Sequence, residues 1–332
     1  MHITRLEISG LRAVRELSLD FETENKEPRR RRVLLGANGA GKTTILDAIA
    51  HVIQVLGLER LGAARLGAGD VGVPPERDGA SLPRAFIQLY ASLADDERAT
   101  LRPLFRSVPN RGMVSMSVPT RDIVTSQDAG DAPFNEVVQE LFHDIAAPPA
   151  VLLPADRGGL EQHNVPVEDV VRFDPRESCL APGRERFAPL AARLALAAAA
   201  PRFDPAGAVA RMWKVLAKYF PELPRPVEYG RDLGLWFVTR GGSTVPLSKL
   251  SDGERAILLI FGELALRNPR LGMVLIDEVE QHLHPRWQRA ILEALTSLLP
   301  FAQFVLTTQS PYLAAVAPDD VVKIGDWDAH GE

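Results

Sequence analysis

The sequence predicts an α/β fold built around a parallel sheet, and three observations predict it. Three short apolar runs, Val33 to Leu35, Gly272 to Ile276 and Phe304 to Leu306, are continuous instead of alternating, which is the pattern of strands covered on both faces by helices. Each run leads through a turn into a helical pattern, which is βαβ logic. The chain has 332 residues, two to three times the usual domain length, so one large α/β domain with insertions or two lobes is expected.

In chain order, residues 2 to 20 alternate apolar and polar with a break at Gly10, which reads as two antiparallel strands. Arg29 to Arg32 follow, read as the solvated end of a strand, with a phosphate-contacting patch as the alternative. After the first apolar run, Ile45, Ile49, Val52, Ile53 and Leu56 fall at helical spacing. The stretch from Gly62 to Gly79 is dense in Gly and Ala and contains Pro74 and Pro75, so it reads as a loop or a partly ordered segment. Residues 84 to 93, 113 to 118 and Leu235 to Thr239 are strand-like, while 133 to 145, 184 to 200 and 206 to 220 read as helices. Together they suggest an antiparallel extension and a helical lobe inserted into the core. After the second apolar run, Pro285 stands as a first-turn proline before Trp287, Ile291, Ala294, Leu295 and Leu298.

Composition narrows the function classes. With 38 basic and 43 acidic residues the net charge is −5 and the pI is near 5.9, which excludes a polybasic nucleic-acid binder but not a local basic patch. No apolar run approaches the length of a spanning helix, and the start lacks a signal-peptide core. The single cysteine, Cys179, cannot form an intramolecular disulfide or a Cys-rich zinc site. A chain in a reducing cytoplasm, with no membrane partner, is expected.

Chemistry enters at Gly36-Ala37-Asn38-Gly39-Ala40-Gly41-Lys42-Thr43, which matches G-x-x-x-x-G-K-[ST] between a buried-strand pattern and a helix. In this motif the glycines let backbone N–H groups turn onto phosphates, and the helix N-terminus adds positive potential. Lys42 then reaches the β- and γ-phosphates, the Thr43 hydroxyl holds Mg²⁺, and Thr44 completes the cradle. ATP with Mg²⁺ is the expected ligand.

Met273 to Ile276 form a second buried strand that ends in Asp277 and Glu278. The first carboxylate is placed to anchor Mg²⁺ through water, and the second to orient and deprotonate an attacking water. Between the two motifs lies Leu250-Ser251-Asp252-Gly253-Glu254-Arg255. As a structural element this is a capping box, with Ser251 as N-cap and Glu254 three residues on. As a functional one it offers Ser251 and the Gly253 N–H to a γ-phosphate held by another molecule, and the two readings are compatible.

The order GANGAGKT, LSDGER, MVLIDE with EQHLHP, then TTQSPYL resembles the ABC-type ATPases of the RecF and SMC group, and within it the bacterial AAA-type ATPases related to OLD-family proteins. The resemblance covers about residues 1–55 and 245–324. It implies a P-loop NTPase with an ABC-type ATPase head, a mixed sheet and an inserted helical lobe. Its parts would be residues 1–60 and 246–332 of the ATPase core, with 61–245 as extension and lobe. It implies that Ser251, Gly253 and Glu254 form the signature motif, that Asp277 and Glu278 are the Walker B pair, and that the segment through His282, His284 and Pro285 contacts a partner subunit. Val151 to Arg157 looks like the segment that serves as a Q-loop.

Two departures stand out. Relatives usually carry His in a T-T-H-S-P motif, where it senses the γ-phosphate, and here the residue is Gln309. An amide still donates to phosphate but cannot carry a proton, so slow hydrolysis is expected. OLD-type nucleases carry a TOPRIM domain after the ATPase, whereas about twenty residues follow Tyr312, so no nuclease of that kind is expected within these residues. The pair His282 and His284 lacks a convergent third zinc ligand. Trp213, Trp236, Trp287 and Trp327 are scattered and read as core or interface residues, not as base-stacking platforms.

These readings lead to an ATP-hydrolysing switch that dimerises around two ATPs and acts on a separate effector such as a nuclease or toxin. The alternatives are a DNA repair ATPase of RecF or SMC type, which would bind DNA, and a scaffold that binds ATP with little turnover. A small-molecule kinase is disfavoured because it has no use for LSDGER. The resemblance points to anti-phage defence.

Overall fold

Alternation in the N-terminal segment produces a hairpin, in which β1 (His2–Leu11) and β2 (Val14–Asp20) pair antiparallel. The chain reverses after Leu11, at Arg12 with φ 49°, and not at Gly10, which takes φ 70° while still in the strand. The computed structural model describes residues 1–56, 85–118, 123–127, 133–143, 150–156, 174, 179–180, 189–199, 204, 207–229, 235–239, 241–268 and 272–325. The Gly62 to Gly79 stretch and Trp327 lie outside them.

The first continuous apolar run lies in β3 (Arg31–Leu35), which is followed by α1 (Lys42–Val55). Next come β4 (Ala85–Ser92), α2 (Asp95–Leu101), β5 (Arg111–Val118), β6 (Ile123–Gln127), α3 (Phe134–His143) and β7 (Ala150–Leu153). A lobe follows with α4 (Leu190–Ala199), α5 (Ala208–Tyr219), β8 (Arg225–Tyr229), β9 (Leu235–Val238) and β10 (Thr244–Pro246). The chain then forms α6 (Asp252–Arg267), β11 (Met273–Ile276), α7 (Pro285–Leu298), β12 (Gln303–Thr308), α8 (Pro311–Val316) and β13 (Val321–Lys323).

Among the described residues these strands make a five-stranded antiparallel sheet, β2-β1-β4-β5-β6, and a five-stranded parallel sheet, β13-β3-β12-β11-β7. The three-stranded sheet β10-β9-β8 is separate. Strands β7, β11 and β12 are buried at every residue, as the apolar runs of β7 and β11 and the Phe304 to Leu306 centre of β12 require, and the polar ends of β12 are buried with them. The stretch from 61 to 245 is distributed: β4 to β6 complete the sheet begun by β1 and β2, β7 enters the parallel core, and α4 and α5 pack on α6.

A buried polar residue ties the two large sheets together. Gln303, with no exposed surface, accepts from the Ile3 N–H at 2.7 Å and donates to Ile3 O and Arg29 O, both at 2.9 Å. Every polar atom of that amide is thereby satisfied at the sheet junction. The arginine run is used for the same purpose. Arg29 donates to Glu22 O at 3.0 Å, Arg32 to Asp20 O at 2.9 Å and Arg30 to Pro300 O, while Arg31 pairs with Asp320 at 2.9 Å. Three of these side chains thus hold neighbouring backbone and the fourth a carboxylate, at the solvated end of β3 as the first reading has it.

Helix α6 is apolar nearly all round, from Ala256 to Ala265, because the lobe covers the face that the sheet does not. A Cβ built on Gly262 would lie 2.8 Å from the end of the Leu194 side chain of α4, so α4 packs closely over this point of α6. Phe220, at the end of α5, stands edge-on to both Phe261 of α6 and Trp287 of α7, with centroids 5.7 and 5.9 Å away. Among the described residues no helix is long and apolar enough to cross a membrane.

Candidate functional site

The motifs meet because parallel strands end at one edge. Leu35 of β3 lies opposite Thr308 of β12, and Ile276 of β11 opposite Leu306 of β12 and Leu153 of β7. The segments that follow β3, β11 and β12 therefore emerge side by side, at the carboxyl edge where α/β sheets place ligands.

The loop after β3 is shaped by its glycines. A Cβ on Gly36 would come 2.4 Å from Ile324 O, since the chain beyond β13 crosses directly over it, and the Gly36 N–H donates to Thr308 O at 3.2 Å. Gly39 and Gly41 take φ 78° and 87°, left-handed values that a side chain would strain. Ala37, Asn38 and Gly39 are exposed, Ala40 is buried, and Gly41 caps α1. Lys42 is only 5% exposed, and its Nζ donates to Gly36 O and Ala37 O, both at 2.7 Å. A buried ammonium needs such acceptors. They hold it at the centre of the loop with a donor still available. Thr44 is buried beneath the loop.

Asp277, 4% exposed, gathers the hydroxyls. Thr43 Oγ1 donates to Asp277 Oδ2 at 2.8 Å and Thr307 Oγ1 to Asp277 Oδ1 at 2.5 Å. Thr307 Oγ1 also accepts from the Glu278 N–H at 2.8 Å, and that bond helps hold Glu278 at φ 45°, a strained conformation for a non-glycine residue. Gln309 Nε2 donates to Glu278 Oε1 at 3.2 Å, while the Gln309 backbone N–H donates to Glu280 Oε1 at 2.6 Å. Thr43, Asp277, Glu278 and Gln309, identified separately in the sequence, thus belong to one hydrogen-bonded chain. Thr307 and Glu280 were missed as members of it. They lie inside recognisable motifs, but only the pairing of β11 with β12 reveals which way their side chains act.

At the start of α6, Ser251 is exposed and Gly253 and Glu254 are half-buried. Glu254 Oε2 accepts from Ser251 N at 2.7 Å and Ser251 Oγ at 2.8 Å, and the Glu254 N–H returns to Ser251 Oγ at 3.4 Å, which closes the capping box. A Cβ on Gly253 would come 2.7 Å from His282 O, so α6 begins pressed against the turn that follows Glu278. Among the described residues no hydrogen bond joins these three to the loop at 36–43.

His282 is exposed at φ 65°, and His284 caps α7 by accepting from the Arg286 N–H at 3.2 Å. Among the described residues no group of three or more metal-ligating side chains of the His, Cys, Asp or Glu type occurs. The run from Val151 contributes a core strand, β7, and only Pro154 to Asp156 continue beyond it at the site's edge, with Leu153 O accepting from Asp277 N at 2.9 Å. Arg157 lies outside the described residues. A separate cavity of about 620 Å³, lined by Lys26, Arg30, Asp96, Glu97 and Phe301 among others, opens at the opposite end of the parallel sheet and contains none of these motifs.

Known proteins place this geometry in context. The family described as "AAA domain, putative AbiEii toxin, Type IV TA system" matches residues 122–315, and a second AAA domain family matches residues 5–53. The "Retron Vc95 probable ATPase" of Vibrio cholerae serotype O1 biovar El Tor is 36% identical over 98 residues, 26% of this chain and 19% of that protein. The Septu protein PtuA of Bacillus thuringiensis is 42% identical over 60 residues, 18% of this chain and 15% of that protein. These matches therefore span less than a fifth of each relative. An Smc head solved with the C-winged helix domain of ScpA has a TM-score of 0.56 at 16% identity, covering 98% of this chain and 94% of that one, a likeness of fold.

Proposed function

The chain belongs to the AAA-domain family matched over residues 122–315, with the P-loop NTPase fold of the SMC-head type, and from that premise we propose that it is an ATPase that dimerises around ATP and switches a separate effector protein in anti-phage defence. The observation that carries the hydrolytic part is the chain Thr43–Asp277–Thr307–Glu278–Gln309 beside a buried, loop-bound Lys42. The likeness to retron and Septu proteins supports the defence setting.

Each residue's part follows from its chemistry. The loop from Gly36 to Thr44 turns backbone N–H groups toward the β- and γ-phosphates, and Lys42 adds a charge-assisted donor there. Thr43 and Asp277, two oxygen donors 2.8 Å apart, fit Mg²⁺, which prefers a carboxylate or two together with waters and substrate phosphates. When bound, that ion would neutralise charge developing on the phosphates. Glu278 orients the attacking water and takes its proton. Gln309 hands its amide from Glu278 to the γ-phosphate. Ser251 and the Gly253 N–H serve the γ-phosphate of a second copy, a role supported by their lack of a bond to their own loop. In this reading residues 61–245 supply the extension and lobe through which the effector is reached.

A second reading, an ATP-bound scaffold with little turnover, draws on one specific contact. The Gln309 amide engages the Glu278 oxygen that a base would need, at 3.2 Å. Substitution of Lys42 separates binding from its absence. Lys42→Ala is expected to weaken ATP binding at least about tenfold, the value of a hydrogen bond from a charged donor. Wild-type affinity in calorimetric titration of that variant would overturn the phosphate-cradle reading.

A further inference from the structure

The turn that follows Glu278, and the start of α7 beyond it, are bonded to the end of β12 and to the segment after it by two ties outside the hydrogen-bonded chain described above. Val279 N–H donates to Thr307 O at 3.1 Å, and Gln288, which donates to Leu283 O at 2.8 Å, accepts from Ser310 Oγ at 2.5 Å. Between these two ties stands Glu280. Its Oε1 accepts the Gln309 backbone N–H at 2.6 Å, while its Oε2 is buried and accepts no hydrogen bond from the described residues. A carboxylate is costly to place in this way, because a buried oxygen without a donor forfeits its hydration.

From this geometry we infer that Glu280 is a positioning residue for Gln309, and through it for Glu278. The carboxylate pins the Gln309 backbone, so the side chain pivots about a fixed point. The amide that lies 3.2 Å from Glu278 Oε1 can then leave the base for a γ-phosphate without the whole segment shifting. Without the pin, the amide samples many positions and serves neither partner well. The inference rests on the proposed ATPase reading.

The test is a double-mutant cycle read as steady-state hydrolysis alongside ATP affinity and thermal stability. Glu280→Ala is expected to lower kcat about tenfold, the worth of one charge-assisted hydrogen bond, with nucleotide affinity changed less than about twofold. In a Gln309→Ala background, which keeps the backbone N–H but lacks the amide, Glu280→Ala is expected to add almost nothing. Glu280→Gln, which retains an acceptor oxygen, is expected to recover most of the lost rate. Hydrogen exchange at the Gln309 amide reports the pin independently of turnover and should quicken in Glu280→Ala. Equal kcat losses in both backgrounds, an unchanged kcat in Glu280→Ala, or unchanged exchange at Gln309 would each overturn the inference while the ATPase reading stands. A wild-type chain that binds ATP and never hydrolyses it would overturn both.

Discussion

Glu278 is held by its neighbours in a backbone conformation that a free chain avoids. Its N–H is fixed on Thr307 and its side chain on Gln309, and φ 45° strains a residue with a Cβ. Such strain persists where surrounding bonds over-determine it, as they do at the end of β11. If Glu278 is the base, Glu278→Gln preserves shape and loses the proton acceptor. The expected outcome is a fall in kcat of about 100-fold or more, with ATP binding retained. Unchanged turnover in a clean preparation would remove Glu278 from that role. The residue types at the site were legible because Lys, Thr and paired carboxylates stand at fixed spacings from buried strands. The joints between them were not. Nothing in the spacing of Thr307 says that its hydroxyl bridges Asp277 to the Glu278 backbone, because that contact spans two strands separated by thirty residues of chain.

At the scale of elements, the carboxyl edge of the parallel sheet and the N-terminus of α6 do different work. Continuous apolar runs announced β3, β11 and β12, and Pro285 announced α7, because burial on both faces and a fixed φ leave local signatures. Strand β7 carries the same apolar signature, yet its motif context suggested a loop, and only pairing with β11 settles its place in the core. The N-terminus of α6 was readable as a cap, but its pressure on the turn at His282 was not, since that depends on how two elements cross. Gly253→Ala tests this crossing. A Cβ 2.7 Å from His282 O is expected to cost about 1–3 kcal/mol in denaturant unfolding, with monomer ATP binding intact. Wild-type stability in that variant would mean that α6 and the turn yield freely. By contrast Ser251→Ala removes a cap without introducing a clash, and is expected to cost the isolated chain about 1 kcal/mol.

For the whole molecule, we propose that each chain supplies half of each of two ATP sites. The cradle at 36–43 and the capped start of α6 are not joined by a hydrogen bond within the described chain, and the cap leaves backbone N–H groups at the helix start for an anion. A symmetric dimer would complete two sites at once, and the lobe helices packed on α6 would carry the change outward. The decisive measurement mixes two inactive variants, Ser251→Arg and Lys42→Ala, and follows sedimentation and hydrolysis in ATP. Each variant alone is expected to remain a monomer with normal thermal stability and negligible turnover. Together they can form a heterodimer with one site lacking both elements and one site intact, so dimers and a partial return of hydrolysis are predicted. A mixture as inert as its components, or a Ser251→Arg monomer that hydrolyses ATP at the wild-type rate, would contradict the shared-site account.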